Sequence, residues 1–137
     1  MVDEGGGAPA AKFDLARLAE ISGGDVEFEQ EIAGEYLAQA RELCEQAARA
    51  LETHDAVALS RAAHTLKGSS RTVGAEGVAQ LAAELEASAA DSTQAAASSL
   101  ARARACLVAS ERELDRHFGT DRYRKAVLQA PCGRPRV

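Results

Sequence analysis

Between Ala62 and Ala75 the chain reads Ala62-Ala63-His64-Thr65-Leu66-Lys67-Gly68-Ser69-Ser70-Arg71-Thr72-Val73-Gly74-Ala75, and these residues hold its most informative chemistry. A neutral imidazole has a pKa of about 6.5, so near pH 7 a ring nitrogen of His64 can act as a nucleophile without a strong activating base. Lys67 can set an ammonium beside an anionic group carried on that ring and offset its charge, with Arg61 and Arg71 in reach to assist. A phosphoryl group suits such a site. Its transfer asks the protein for little covalent work and depends on positioning and charge stabilisation.

The chemistry requires that these side chains share one exposed face. On a helix each residue turns about 100°, which puts Leu59, Ala62, Leu66 and Val73 within about 40° of the direction opposite His64. His64 is therefore expected to face water. Ser60, Arg61, Lys67, Gly68 and Arg71 fall within about 60° of it, and Val57 lies on the same side. A glycine inside a helix costs about 1 kcal/mol relative to alanine. Gly68, one turn after His64, points away from the expected core, so its lack of bulk reads as clearance for an approaching protein surface.

The elements that must carry this face are all helical by pattern. A short helix is expected from Asp14 to Ile21, broken by Ser22-Gly23-Gly24-Asp25, with Asp25 capping the next. From Phe28 the positions Ile32, Tyr36, Ala40, Leu43, Ala47 and Leu51 recur at three- and four-residue steps and read as one core stripe. Thr53-His54-Asp55 breaks that helix, and a third runs to Val73, where Gly74 caps it. Val78, Leu81, Ala82 and Leu85 give a fourth helix its buried side. Asp91-Ser92-Thr93-Gln94 resembles a capping box for a fifth, with Leu100, Ala103, Leu107, Leu114 and Phe118 inward. Short connections between long amphipathic helices predict an all-α, up-and-down antiparallel four-helix bundle with one short additional N-terminal helix.

The predicted organisation is a flexible leader over 1–11, the bundle over 12–118, and a basic, partly disordered tail over 119–137. The apolar fraction is 46% but aromatics supply only 4%, so the core must be built from alanine, leucine and valine. A formal net charge of -5 argues against sequence-independent nucleic-acid binding, which needs clustered cations. The acidic, glycine-rich start is unlike an export signal, and no uninterrupted apolar stretch could span a bilayer. Cys44, Cys106 and Cys132 form neither a CxxC pair nor an even disulfide set, which points to a reducing, cytoplasmic setting. Cys44 and Cys106 are expected to pack as small hydrophobes.

His64-Thr65-Leu66-Lys67-Gly68-Ser69-Ser70, with Gly74 ending the same helix and Leu85-Glu86 on the next, resembles the histidine-containing phosphotransfer (HPt) domain family over roughly residues 12 to 118. The resemblance implies that His64 accepts and donates a phosphoryl group through Nε2, that Lys67 interacts with the phosphate, and that Gly68 leaves room for a receiver domain. It also implies that Glu86 orients the ring, as a carboxylate or amide does in some relatives. Val57, Ser60, Arg61 and Arg71 would border the partner-binding surface. Partners would be response regulator receiver domains and a sensor or hybrid histidine kinase, with this chain a monomeric carrier rather than an enzyme. No cofactor of its own is implied, Mg²⁺ being expected on the receiver. Tyr36 stands where relatives often carry phenylalanine.

Other readings make different demands. The dimerisation and phosphoacceptor domain of an ordinary histidine kinase would have an acidic residue after the histidine and a later proline, where Thr65 and Leu66 stand here. The phosphoacceptor domain of a chemotaxis-type kinase would share the bundle. In a non-catalytic helical adaptor His64 would merely be exposed. A metal site on His54, His64 and His117 would need ligands at unrelated spacings on different elements.

Overall fold

The computed structural model describes residues 12–119. The leader assigned to 1–11 and the tail beyond 119, Cys132 included, lie outside the described residues. Among the described residues the chain is helical throughout: α1 (Leu15–Ile21), α2 (Val26–Glu52), α3 (Ala56–Val73), α4 (Glu76–Ser88) and α5 (Thr93–Phe118). The starts follow capping chemistry. Asp14, Asp25, Asp55 and Ser92 each accept a hydrogen bond from the backbone N–H three residues on, which satisfies a donor that the helix itself leaves unpaired. At α5 the cap is Ser92, bonded to the Ala95 N–H, one residue later than a box running from Asp91 to Gln94 requires. With alanine at the third helical position, no side chain returns the bond.

Gly74 ends α3 in the left-handed region at φ 94°. Its neighbourhood is crowded. A Cβ there would sit 2.6 Å from the Asp14 carbonyl oxygen, and the Gly74 carbonyl accepts a 2.7 Å bond from the Asp14 N–H. The turn from α3 into α4 is thus sewn to the entry of α1. Gly74→Ala is expected to cost roughly 2–3 kcal/mol, combining an unfavourable backbone region with displacement of the Asp14 segment that caps α1. Urea unfolding checks this, and a loss below about 0.5 kcal/mol would mean that the Asp14 segment yields freely.

The two helices flanking α3 are α2 and α4; α5 packs on α4 and α2, and α1 lies against α2 and α3. Leu18, Leu37, Leu66, Leu85 and Leu114 are fully buried, with Ala33, Ala40, Ala82, Ala96 and Ala103 filling the space between them. Alanine at so many facing positions allows close helix approach without aromatic bulk. Cys44 and Cys106 are buried as packing residues, and burial pushes both thiols above their ordinary pKa, keeping them protonated.

Ends and middles of α2 and α5 are tied by polar pairs: His117 with the buried Glu29, Arg41 with Glu111, and Arg104 with the Cys44 carbonyl. Glu29 also lies in the first turn of α2, where the helix dipole favours a carboxylate.

One stripe position departs from expectation. Phe28 is 47% exposed rather than core. Four-residue steps overshoot a helical turn by about 40° each, so the run Phe28, Ile32, Tyr36, Ala40 rotates about 120° from first to last. Ala40 and Tyr36 face the core, Ile32 its margin, and Phe28 water.

Candidate functional site

Asp55 fixes the start of α3 and Gly74 its end, so the eighteen residues between form one continuous helix with a defined rotation. That rotation buries Leu59, Ala62, Ala63, Leu66, Ser70 and Val73, and turns His64 outward with 68% of its side chain exposed. Just past it the propensity for helix is weak, with glycine, two serines and a threonine in close succession. Ser69 and Thr72 bond back to the carbonyls of Thr65 and Gly68 at 2.9 and 3.0 Å, holding their side chains close along the backbone.

The neighbouring α4 supplies the other half of the site. Glu86 accepts a bond from His64 Nδ1 at 3.0 Å through Oε2, and from Lys67 Nζ at 2.7 Å through Oε1. Lys67 and Glu86 are each about three-quarters shielded, whereas the ring projects beyond them. The Lys67 hydrogen bond, first among the causes, holds the Glu86 carboxyl below its ordinary range; partial desolvation opposes this and the His64 contact adds to it.

An ionised carboxylate has no proton to give. The bond at Oε2 therefore requires the proton on Nδ1, and in the neutral ring the lone pair then lies on Nε2. Glu86 thus selects the tautomer and leaves the outer nitrogen nucleophilic.

Among the described residues the hydrogen-bonded group is His64, Lys67 and Glu86. Gly68 is exposed beside it, and a Cβ built there meets nothing within 4 Å. Val57 is 63% exposed, Arg61 and Arg71 are exposed, and Ser60 is partly covered. These four share the face by register and are not drawn into the hydrogen-bonded group. His54 occupies the α2–α3 turn at φ 56° and His117 pairs with Glu29, so the three histidines stand on separate elements. Among the described residues no three histidine, cysteine or carboxylate side chains cluster as a metal site would.

Beneath this surface lies a contact that sequence reasoning missed. The Tyr36 hydroxyl and Ser70 Oγ are 2.7 Å apart in the interior, and burial pushes the phenol well above its ordinary pKa. A tyrosine in an otherwise apolar stripe was the available signal, since a buried hydroxyl needs a partner. Ser70→Ala is expected to cost about 1–3 kcal/mol by stranding the phenol, while Ser70→Ala with Tyr36→Phe recovers most of that loss. Chemical denaturation of both variants checks it; equal losses in the two would show that the hydroxyls do not depend on each other.

A family model for the Hpt domain matches residues 31–117, well over half of the chain. The chain belongs to the Hpt domain family, whose members carry phosphoryl groups on histidine in phosphorelays. No curated protein matches it. Among the described residues no helix is long and apolar enough to cross a membrane.

Proposed function

We propose that this chain relays a phosphoryl group between the aspartates of receiver domains, holding it in transit on Nε2 of His64. The observation that carries the reading is the ring itself, more than two-thirds exposed on a rigid helix, with Nδ1 engaged by Glu86 and Nε2 left to react. In the forward step the Nε2 lone pair attacks the phosphorus of an aspartyl phosphate. The P–O bond to the aspartate breaks, and its electron pair returns to the carboxylate. Lys67, bonded to the same carboxylate as the ring, is shared with the incoming phosphoryl oxygens, and Gly68 leaves the receiver's active-site rim room to approach.

On this reading the catalytic residues are His64 and Lys67, with Glu86 a positioning residue behind the ring. Val57, Ser60, Arg61 and Arg71 form the surrounding docking surface. A sensor or hybrid histidine kinase stands upstream, and Mg²⁺ belongs to the receiver. The protein is a cytoplasmic monomer and a carrier, not a kinase. Its architecture is an up-and-down antiparallel four-helix bundle over 12–118, consistent with α5 meeting the start of α2 at His117 and its middle at Arg104. The leader and the basic tail flank that bundle in sequence.

Receiver domains charged with labelled acetyl phosphate provide the test. Mixing with the chain should move label into an acid-labile, alkali-stable form on His64 within minutes. Failure with every receiver of the source genome would end the proposal.

A further inference from the structure

Glu86 touches the His64 imidazole and the Lys67 ammonium at once, and this arrangement bears on what happens to the ring after it is phosphorylated. In the free site Nδ1 already carries its proton, because Glu86 can only accept. Attack through Nε2 then forms the P–N bond without any proton having to move. The product ring holds phosphorus on one nitrogen and hydrogen on the other, and is a cation. A phosphoimidazolium alone in water would shed that proton as pH rises above neutrality. Here a carboxylate lies 3.0 Å from the nitrogen that bears it.

We propose that Glu86 keeps Nδ1 protonated in the phosphorylated protein, so that the phosphoryl group is carried on a cationic ring poised to leave. The inference rests on the assignment of His64 as the phosphorylated residue and deepens it. When an aspartate oxygen, or water, attacks phosphorus, the P–N electron pair returns to Nε2. If Nδ1 is protonated the leaving group is neutral imidazole; if not, it is an imidazolate anion, a far poorer one. An amide in place of the carboxylate would position the ring equally well but supply no charge. The carboxylate therefore makes the phosphohistidine a short-lived, high-potential intermediate rather than a store.

The charges facing the ring are Glu86 from α4 and, on α3 itself, Lys67, Arg61 and Arg71. The arginines and the phosphate act in opposite senses on the ring proton. Lys67, at 2.7 Å from the second carboxylate oxygen, keeps Glu86 ionised. A single carboxylate within about 4 Å typically moves a titration by one unit or more.

The test compares the full chain with Glu86→Gln after chemical phosphorylation by phosphoramidate, following release of inorganic phosphate from pH 5 to 10. The native protein should stay on its fast plateau to a pH about one unit higher than the variant, which at pH 8 makes the variant's hydrolysis roughly tenfold slower. Nitrogen-15 spectra of the native phosphoprotein at pH 8 should show Nδ1 protonated. Equal midpoints in the two proteins, or a deprotonated Nδ1, would overturn the inference. Phosphoramidate labels an exposed imidazole without a receiver, so loss of receiver-dependent transfer alone counts against the relay reading and leaves this comparison intact.

Discussion

His64→Gln is expected to reduce phosphoryl acceptance from a charged receiver to background, with helix content and unfolding midpoint unchanged. The chemical half of this expectation follows from the absence of a nucleophile in glutamine, whose amide nitrogen has no available lone pair. The structural half follows from exposure. With 68% of the side chain in water, the imidazole makes little packing contact, and a surface substitution of this kind usually shifts stability by no more than about 0.5 kcal/mol. Glutamine can also donate to Glu86, so the carboxylate is not left with Lys67 alone. Neither remaining histidine is placed to substitute: His54 sits in the α2–α3 turn, and His117 is bonded to Glu29 at the far end of α5. Labelled transfer, with circular dichroism on the same samples, decides the matter. Transfer at the native rate would mean that another residue accepts the group.

Much of the framework was legible because local rules and global packing agree. Asp25 and Asp55 cap the helices they were expected to cap or precede, and Gly74 takes the left-handed geometry that ends α3. The face opposite His64 is buried at all four positions that helical rotation selects: Leu59, Ala62, Leu66 and Val73. What escaped is equally specific. Phe28 joined the core stripe because consecutive four-residue steps look periodic while drifting around the helix. The cap of α5 slipped by one residue because Asp91 and Ser92 are both good caps, and only the backbone decides between them.

At the site, spacing along one helix is legible and distance between helices is not. Helical rotation brings Lys67 and Gly68 to the side of His64 from sequence alone. The Glu86 contact depends on how α4 lies against α3, which no periodicity within either helix specifies; only family resemblance suggested it. Arg61 and Arg71 show the converse. Rotation places them on the face, yet the structure engages Lys67 with Glu86 and leaves both arginines exposed. The Tyr36–Ser70 bond joins residues 34 apart on two helices, so no periodicity within either helix specifies it.

Gly68→Gln is expected to slow receiver-dependent transfer on the order of 100-fold while leaving the protein folded and slightly more stable. The added side chain starts into open space, since a Cβ at this position has no neighbour within 4 Å. Glutamine is moreover the better helix former by roughly 0.5–1 kcal/mol, so the unfolding midpoint should rise. On the proposed relay, a glycine that weakens its own helix beside His64 gives clearance to the receiver surface that docks there. Bulk there holds the donor phosphorus away from Nε2, and a displacement of about 1 Å from the in-line geometry is enough for a loss of this size. Gly68→Ala, adding a single methyl group, should stay within a few-fold of the native rate. Phosphoramidate is small enough to pass the glutamine, so direct labelling of His64 should proceed in Gly68→Gln as in the native chain. That contrast separates obstruction of a protein partner from damage to the imidazole. Native-rate transfer from a receiver to Gly68→Gln would remove the role of this glycine in docking, and a matching loss of phosphoramidate labelling would relocate its effect to His64 itself.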